Sequence, residues 1–316
     1  MVAQAGKIVK ANYNDIRNSV NFYLGDPGGQ GYGYGQSLNT PASVGTTDKI
    51  RQVHWAGLKT DILRIAAHQG LAQNSGWTTG VTDSIPVLPT ASGKISASLA
   101  NAYANAMTAL ASNPWRMAEY SDELLVSSSR TDNWNATIRH FFTVDLTNSN
   151  NARYFFNAGG YIFLQPAFTK TVADSINNDW DNLINPIGNI YMGWTSCFSS
   201  SGQGTGSTIG FYDLTSSNQL IFSRGASTYT ANDFLVYARC DVANNATGGA
   251  RYIYFEVYFR DNKVQTGFGF QSGPQYDEVV QGTVSDTIRM LRPSGSNVAV
   301  TGISGTNTVN LYDAQV

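Results

Sequence analysis

The chain has 316 residues, enough for one large or two ordinary domains, and its hydrophobic content of 42% is that of a globular protein, not a disordered one. Charged residues supply only 13%, about half the usual share. A net charge of −2 without a Lys/Arg cluster gives no field to attract nucleic acid, and no apolar run approaches the ~20 residues that span a bilayer.

Asn, Ser, Thr, Gly and Tyr stand where Lys and Glu usually keep a monomer soluble. Such a composition suits surfaces that end against other subunits, since interface cores lose Lys and Glu and gain aromatics. It suits equally a β-protein with a polar, uncharged surface. No basic-then-apolar leader opens the sequence, so synthesis in a cytoplasm without a Sec-type signal is expected.

The N-terminal part, to about residue 120, has a helical period. Tyr13, Ile16, Val20 and Leu24 fall at spacings of three and four, and so do Trp55, Leu58, Ile62 and Ile65. Asp48 is a candidate N-cap for the second helix and Gly70 its stop. A third helix, over 96–111, aligns Leu99, Tyr103, Ala106 and Leu110 before Pro114. The stretches between, 25–47 and 71–93, are long and rich in Gly, Ser, Thr and Pro, as arms along a neighbouring subunit would be. Short, narrow helices of this kind are marginal alone. Residues 1–120 are therefore expected to be an attachment region ordered chiefly by neighbouring chains. Tyr32 and Tyr34 would anchor the glycine-rich arm in a partner's pocket.

From about Leu125 the period becomes two. Ile138, His140, Phe142 and Val144 alternate with Arg139, Phe141 and Thr143. Phe234, Val236, Ala238, Cys240 and Val242 alternate with Leu235, Tyr237 and Arg239, and Ile253, Phe255, Val257 and Phe259 with Tyr252, Tyr254, Glu256 and Tyr258. Val280, Val284, Ile288 and Met290 share a face with Gly282 and Asp286. Strands of this kind, separated by Gly/Asn turns, predict an antiparallel β-sandwich over 125–316. Val172, Ile176, Trp180 and Leu183 predict one inserted helix. The fold class is thus α+β, and the 125–316 region is expected to fold alone.

The order Tyr13-Asn14-Asp15-Ile16, then Gly31-Tyr32-Gly33-Tyr34-Gly35-Gln36, then Trp55 to Asp61-Ile62 and Ala67-His68-Gln69 resembles the start of virion structural proteins of contractile-tailed marine phages, notably cyanophages. Arg153-Tyr154-Phe155-Phe156-Asn157-Ala158-Gly159-Gly160 is similar to a strand–turn–strand of the same class, and Trp180 and the run from Val257 to Asp261 fit that setting. The resemblance implies a non-enzymatic building block of the tail, baseplate, neck or fibre region, made in the host cytoplasm and located in the virion. Its partners would be copies of itself, in a symmetric homo-oligomer, and other virion proteins. It has no catalytic residues to carry over. Capsid decoration is an alternative place for it, and a carbohydrate- or receptor-binding module, fibre tip or lectin-like, is the competing function, with host-surface glycan as its partner.

The residues themselves offer little chemistry. His54, His68 and His140 have no metal-ligand spacing; His68 reads as a cationic helix end and His140 as a hydrogen-bonded core residue. The glycine run lacks the Lys-Ser/Thr of a phosphate loop, and no nucleophile elbow occurs. Cys240 reads as a small buried hydrophobe; pairing with Cys197 stays open. Glu256 is the candidate acid, flanked by Tyr252, Tyr254 and Tyr258, with Arg239 and Arg260 as its expected ion-pair partners in place of a second carboxylate. No catalytic, cofactor or metal site is expected. Tyr252, Tyr254 and Tyr258, on the non-core face of their strand, are the expected partner contacts, alongside Tyr32 and Tyr34.

Overall fold

The computed structural model describes residues 8–27, 33–45, 47–71, 95–112, 115–262, 279–294, 297–298 and 300–312. Tyr32 and most of the 71–93 stretch lie outside them. The chain divides into two compact units. One gathers 1–121, 150–160 and 292–301; the other gathers 122–149, 161–291 and 302–316. The helical unit therefore takes in two short segments from within the region that the period-two pattern had assigned to the strands.

In the first unit, α1 (Lys10–Leu24), α2 (Gln52–His68) and α3 (Ala97–Ala111) bury all twelve residues of the three sequence stripes, each 5% exposed or less. Trp55 is the hub: its ring meets Tyr13 at 5.9 Å and Tyr103 at 5.5 Å, both edge to face. Each helix is weak alone, yet three stripes sharing one core bury one another within a single chain. That is a different solution from ordering by neighbouring chains. Arg51, not Asp48, occupies the N-cap of α2, while Gly70 does stop it, with φ +68°.

The glycine-rich arm folds back onto its own unit. Tyr34 N–H donates to Tyr23 O, Gly35 N–H to Gly25 O and Gln36 N–H to Leu24 O. Further along, Asp61 of α2 accepts from the backbone and side chain of both Asn39 and Thr40, at 2.6–3.0 Å, and from Arg64 at 3.1 Å. A glycine lies beneath this clamp for a steric reason: a Cβ on Gly57 would stand 2.6 Å from Asn39 O and 2.9 Å from Pro41 Cδ.

Helix α4 (Ser149–Asn157) corrects the strand–turn–strand reading of Arg153 to Gly160. Ala152, Phe155 and Phe156 are buried at spacings of three and four, a helical stripe too short to stand out from an aromatic strand. The Ala158-Gly159-Gly160 stop is a helix C-cap. Gly160 N–H bonds back to Phe155 O and Gly159 N–H to Phe156 O, with Gly159 at φ +90°. A left-handed glycine serves a hairpin and a helix stop alike, so the signal was read correctly and its use was not.

The second unit is an antiparallel sandwich. Its strands are β1 (Tyr120–Trp134), β2 (Thr137–Asp145), β3 (Tyr161–Lys170), β4 (Ile190–Met192), β5 (Cys197–Ser199), β6 (Gln219–Gly225), β7 (Asp233–Cys240), β8 (Tyr252–Arg260), β9 (Val280–Pro293) and β10 (Ser304–Tyr312). The first sheet runs β1-β9-β3-β4-β5 and the second β10-β2-β8-β7-β6. Strict alternation of buried and half-buried residues in β2 and along most of β9 reflects one face in the core and one outside. Helix α5 (Ser175–Ile184), the expected insertion, is capped by Asp174 and buries Ile176, Trp180 and Leu183. Val242 lies beyond β7 and is 47% exposed, so that alternation ends at Cys240.

Candidate interaction surface

The outer face of the second sheet is built by register. Phe141 of β2 lies opposite Glu256 of β8, and Arg139 opposite Tyr258. Across the other edge of β8, Arg239 of β7 lies opposite Tyr254 and Tyr237 opposite Glu256. Paired residues share a face, so Tyr252, Tyr254 and Tyr258 stand among arginines and rings.

These groups are stacked on one another. The Arg239 guanidinium lies 4.1 Å from the Tyr254 ring centre, Arg251 4.7 Å from that of Tyr252, and Arg139 5.5 Å from that of Tyr258. The Tyr254 ring is near-parallel to Tyr252 at 6.3 Å and to Phe141 at 6.1 Å, and Tyr258 meets Tyr237 edge to face at 5.6 Å. The result is a half-buried, continuous sheet of π-faces and guanidinium planes.

The ion pairs differ from the expected ones. Glu256 is held by Arg139, at 2.5 Å, on the strand opposite β7, and by the Tyr258 hydroxyl, which donates at 2.7 Å. Arg260 pairs instead with Asp233, and Arg251 grips Asp145 through two nitrogens at 2.8 and 2.7 Å. Among the described residues Arg239 has no carboxylate partner. Burial pulls the Glu256 carboxyl upward, but hydrogen bonds from Asn218 and Tyr258 and the Arg139 charge outweigh it and hold the group below its ordinary range. A glycosidase acid needs the opposite shift.

Tyr34 is elsewhere and is not a surface group. It is 1% exposed, its hydroxyl accepts from Gln69 at 3.1 Å, and its ring lies 4.7 Å from that of His68. The pocket that takes this ring is in its own chain, because Gly33 and Gly35, both at positive φ, turn the arm inward. His68 is likewise a buried, neutral-leaning group: burial lowers its pKa, opposed by its contact with Ala158 O at 3.0 Å. Burial thus works against the dipole-stabilised cation expected there.

His140 and Asp286 meet at 2.5 Å between the two sheets, both at 0% exposure. The alternation had placed each on a core face, without showing that they meet. Burial pushes the Asp286 carboxyl upward, against the pull of its bond to His140. His140 Nε2 and Asp286 Oδ1 have no partner among the described residues. The pair has no exposed atom through which to reach a substrate. Cys197 and Cys240 are free, buried thiols, each pushed up to about 12 by burial. Among the described residues no group of three or more His, Cys, Asp or Glu is placed to hold a metal, and no helix is long and apolar enough to cross a membrane.

Sequence reasoning found the three tyrosines on this face and Arg239 beside them, but gave Arg239 a carboxylate partner in place of the Tyr254 ring and missed the roles of Arg139 and Arg251. The signal was there: Arg139, Phe141, Tyr237 and Arg239 are the non-core positions of the alternation in β2 and β7. Compared with family models, curated proteins and solved structures, the chain matches none.

Proposed function

We propose that this protein is a non-enzymatic structural component of a phage virion, of the tail, baseplate, neck or fibre region, and that it assembles as a symmetric homo-oligomer through the outer face of the second sheet. The observation that carries the assembly reading is the stacked arginine–tyrosine face. Tyr and Arg are the residues that concentrate in interface cores, and here their rotamers are already fixed by mutual stacking, which lowers the entropy lost on association. The low overall charge and the resemblance of the N-terminal motifs support the virion assignment.

Glycan recognition at Tyr252, Tyr254 and Tyr258 fits this face less well. A sugar ring stacks on an open aromatic face, and the Tyr254 ring already carries Arg239 and lies beside Phe141 and Tyr252. Mass spectrometry of purified particles tests the virion assignment: peptides of this chain are expected in them, and their absence would overturn it.

A further inference from the structure

A second aromatic group stands on the outer face of the first sheet, built on opposite principles. Tyr191 of β4 and Phe198 of β5 are direct cross-strand partners with near-parallel rings 5.6 Å apart. Tyr161 meets both edge to face, at 5.9 and 6.1 Å, and Phe163 lies 5.0 Å from Tyr191. Phe198 is 44% exposed, whereas Phe163 beneath is 2% exposed. One ring is thus offered to solvent on a rigid aromatic base.

Beside it runs a chain of neutral hydrogen-bonding groups. Gln165 Nε2 donates to Asn189 Oδ1 at 2.7 Å, and Asn189 Nδ2 donates to the Tyr191 hydroxyl at 3.0 Å. That hydroxyl, having accepted, keeps its own proton to donate outward, and the Gln165 carbonyl oxygen is uncommitted among the described residues. Charge is absent from the surrounding chain: residues 182–212, which supply β4, β5 and their loops, contain no Asp, Glu, Lys, Arg or His and are rich in Ser, Gly and Thr. Arg289, the register partner of Phe163, is occupied by Asp122 at 2.8 Å.

We propose that this patch binds a neutral glycan, with a pyranose ring laid on Phe198 and its hydroxyls bonded to the Gln165, Asn189 and Tyr191 groups. An exposed aromatic face matches the apolar C–H face of a sugar, and uncharged groups able both to donate and to accept match its hydroxyls. With no formal charge on β4, β5 or their loops, and with Lys170 of β3 and Arg289 of β9 already paired with Asp181 and Asp122, an acidic glycan or charged peptide would leave its own charge unpaired.

The test is binding of the full chain to immobilised neutral oligosaccharides, with a uronic-acid polymer as the charged control, followed by titration calorimetry with a retained neutral oligosaccharide. Phe198→Ala is expected to weaken binding about tenfold or more, and Phe198→Tyr to leave it within about threefold. Asn189→Ala, a second and independent variant, is expected to weaken it too, with both variants melting as the parent does. Retention of the uronic-acid polymer alone, no retention at all, or affinity indifferent to both Phe198→Ala and Asn189→Ala would overturn the proposal. So would a change of oligomeric state in Phe198→Ala without glycan binding, which would make the patch a protein contact. Assembly through the second sheet is read separately, by mass, and stands or falls on its own.

Discussion

Asp61 is fully buried in α2 yet favours its ionised form, because five donors converge on its two oxygens. Burial raises its pKa, and the bonds from Thr40 and Asn39 outweigh that and bring it below the ordinary value. A carboxylate with a depressed folded-state pKa adds stability above its unfolded pKa of about 3.9, and that stability is lost as pH falls through the folded value. The first unit is therefore expected to weaken in acid below about pH 4. Asp61→Asn should cost about 2 kcal/mol or more at neutral pH, since one oxygen becomes an NH₂ facing donors. It should also flatten the acid limb, as read by urea unfolding at several pH values. The buried His140–Asp286 pair makes a different prediction. Removing either partner strands a polar group between the sheets, at about 3–5 kcal/mol, whereas replacing both with leucine removes the need for pairing. The double variant should be more stable than either single variant. A double variant less stable than either single variant would contradict this and show that the pair stabilises the fold beyond its own desolvation cost.

At the scale of elements, Gly57 separates intrinsic preference from packing. Alanine is favoured over glycine in a helix interior by about 1 kcal/mol, yet a Cβ here meets the backbone of Asn39 and Thr40 within 3 Å. Gly57→Ala should therefore destabilise the first unit, and a gain in melting temperature would mean that the 39–41 segment yields easily. This also shows what the sequence can reveal. The stripes of α1, α2 and α3 were legible residue by residue, because a period of 3.6 is imposed by one buried face. The alternations of β2, β7, β8 and β9 were legible for the same reason. Helix α4 was not: Ala152, Phe155 and Phe156 fit a strand as well as one helical turn, and only the long-range partners of Asn157 and Ala158 decide between them. Nor was the arm's destination legible. The Gly-Tyr-Gly-Gln loop and the His-Gln helix end were singled out as separate motifs, and their meeting through Tyr34, His68 and Gln69 depends on tertiary contacts no spacing encodes.

At the scale of the whole molecule, the chain enters and leaves the helical unit more than once, and this changes what a truncation should do. Ala158 belongs to the core cluster of α1, α2 and α3, Asn157 donates to Gly33 O, and Gly35 packs on Tyr154. Deleting residues 1–120 removes all of these partners from α4. The shortened chain is expected to aggregate or melt non-cooperatively, in contrast to the free-standing strand domain that the change of period alone suggests. A soluble product with one sharp transition would show that α4 is dispensable to the sandwich.

Self-assembly through the second sheet is tested most directly by the mass of the full-length protein in solution, measured by light scattering across a concentration series, for the parent and for Arg239→Glu. Arg239 is stacked on Tyr254 and spends its charge on no carboxylate among the described residues, so the reversal alters the face without breaking an ion pair in the fold. The parent should run as a defined multiple of the 34.2 kDa chain, and Arg239→Glu should shift to that single-chain mass while still unfolding in one cooperative transition, at a lower temperature because the subunit contacts and the stack on Tyr254 are lost. A monomeric parent, or a variant that keeps the parent's mass, would contradict the account.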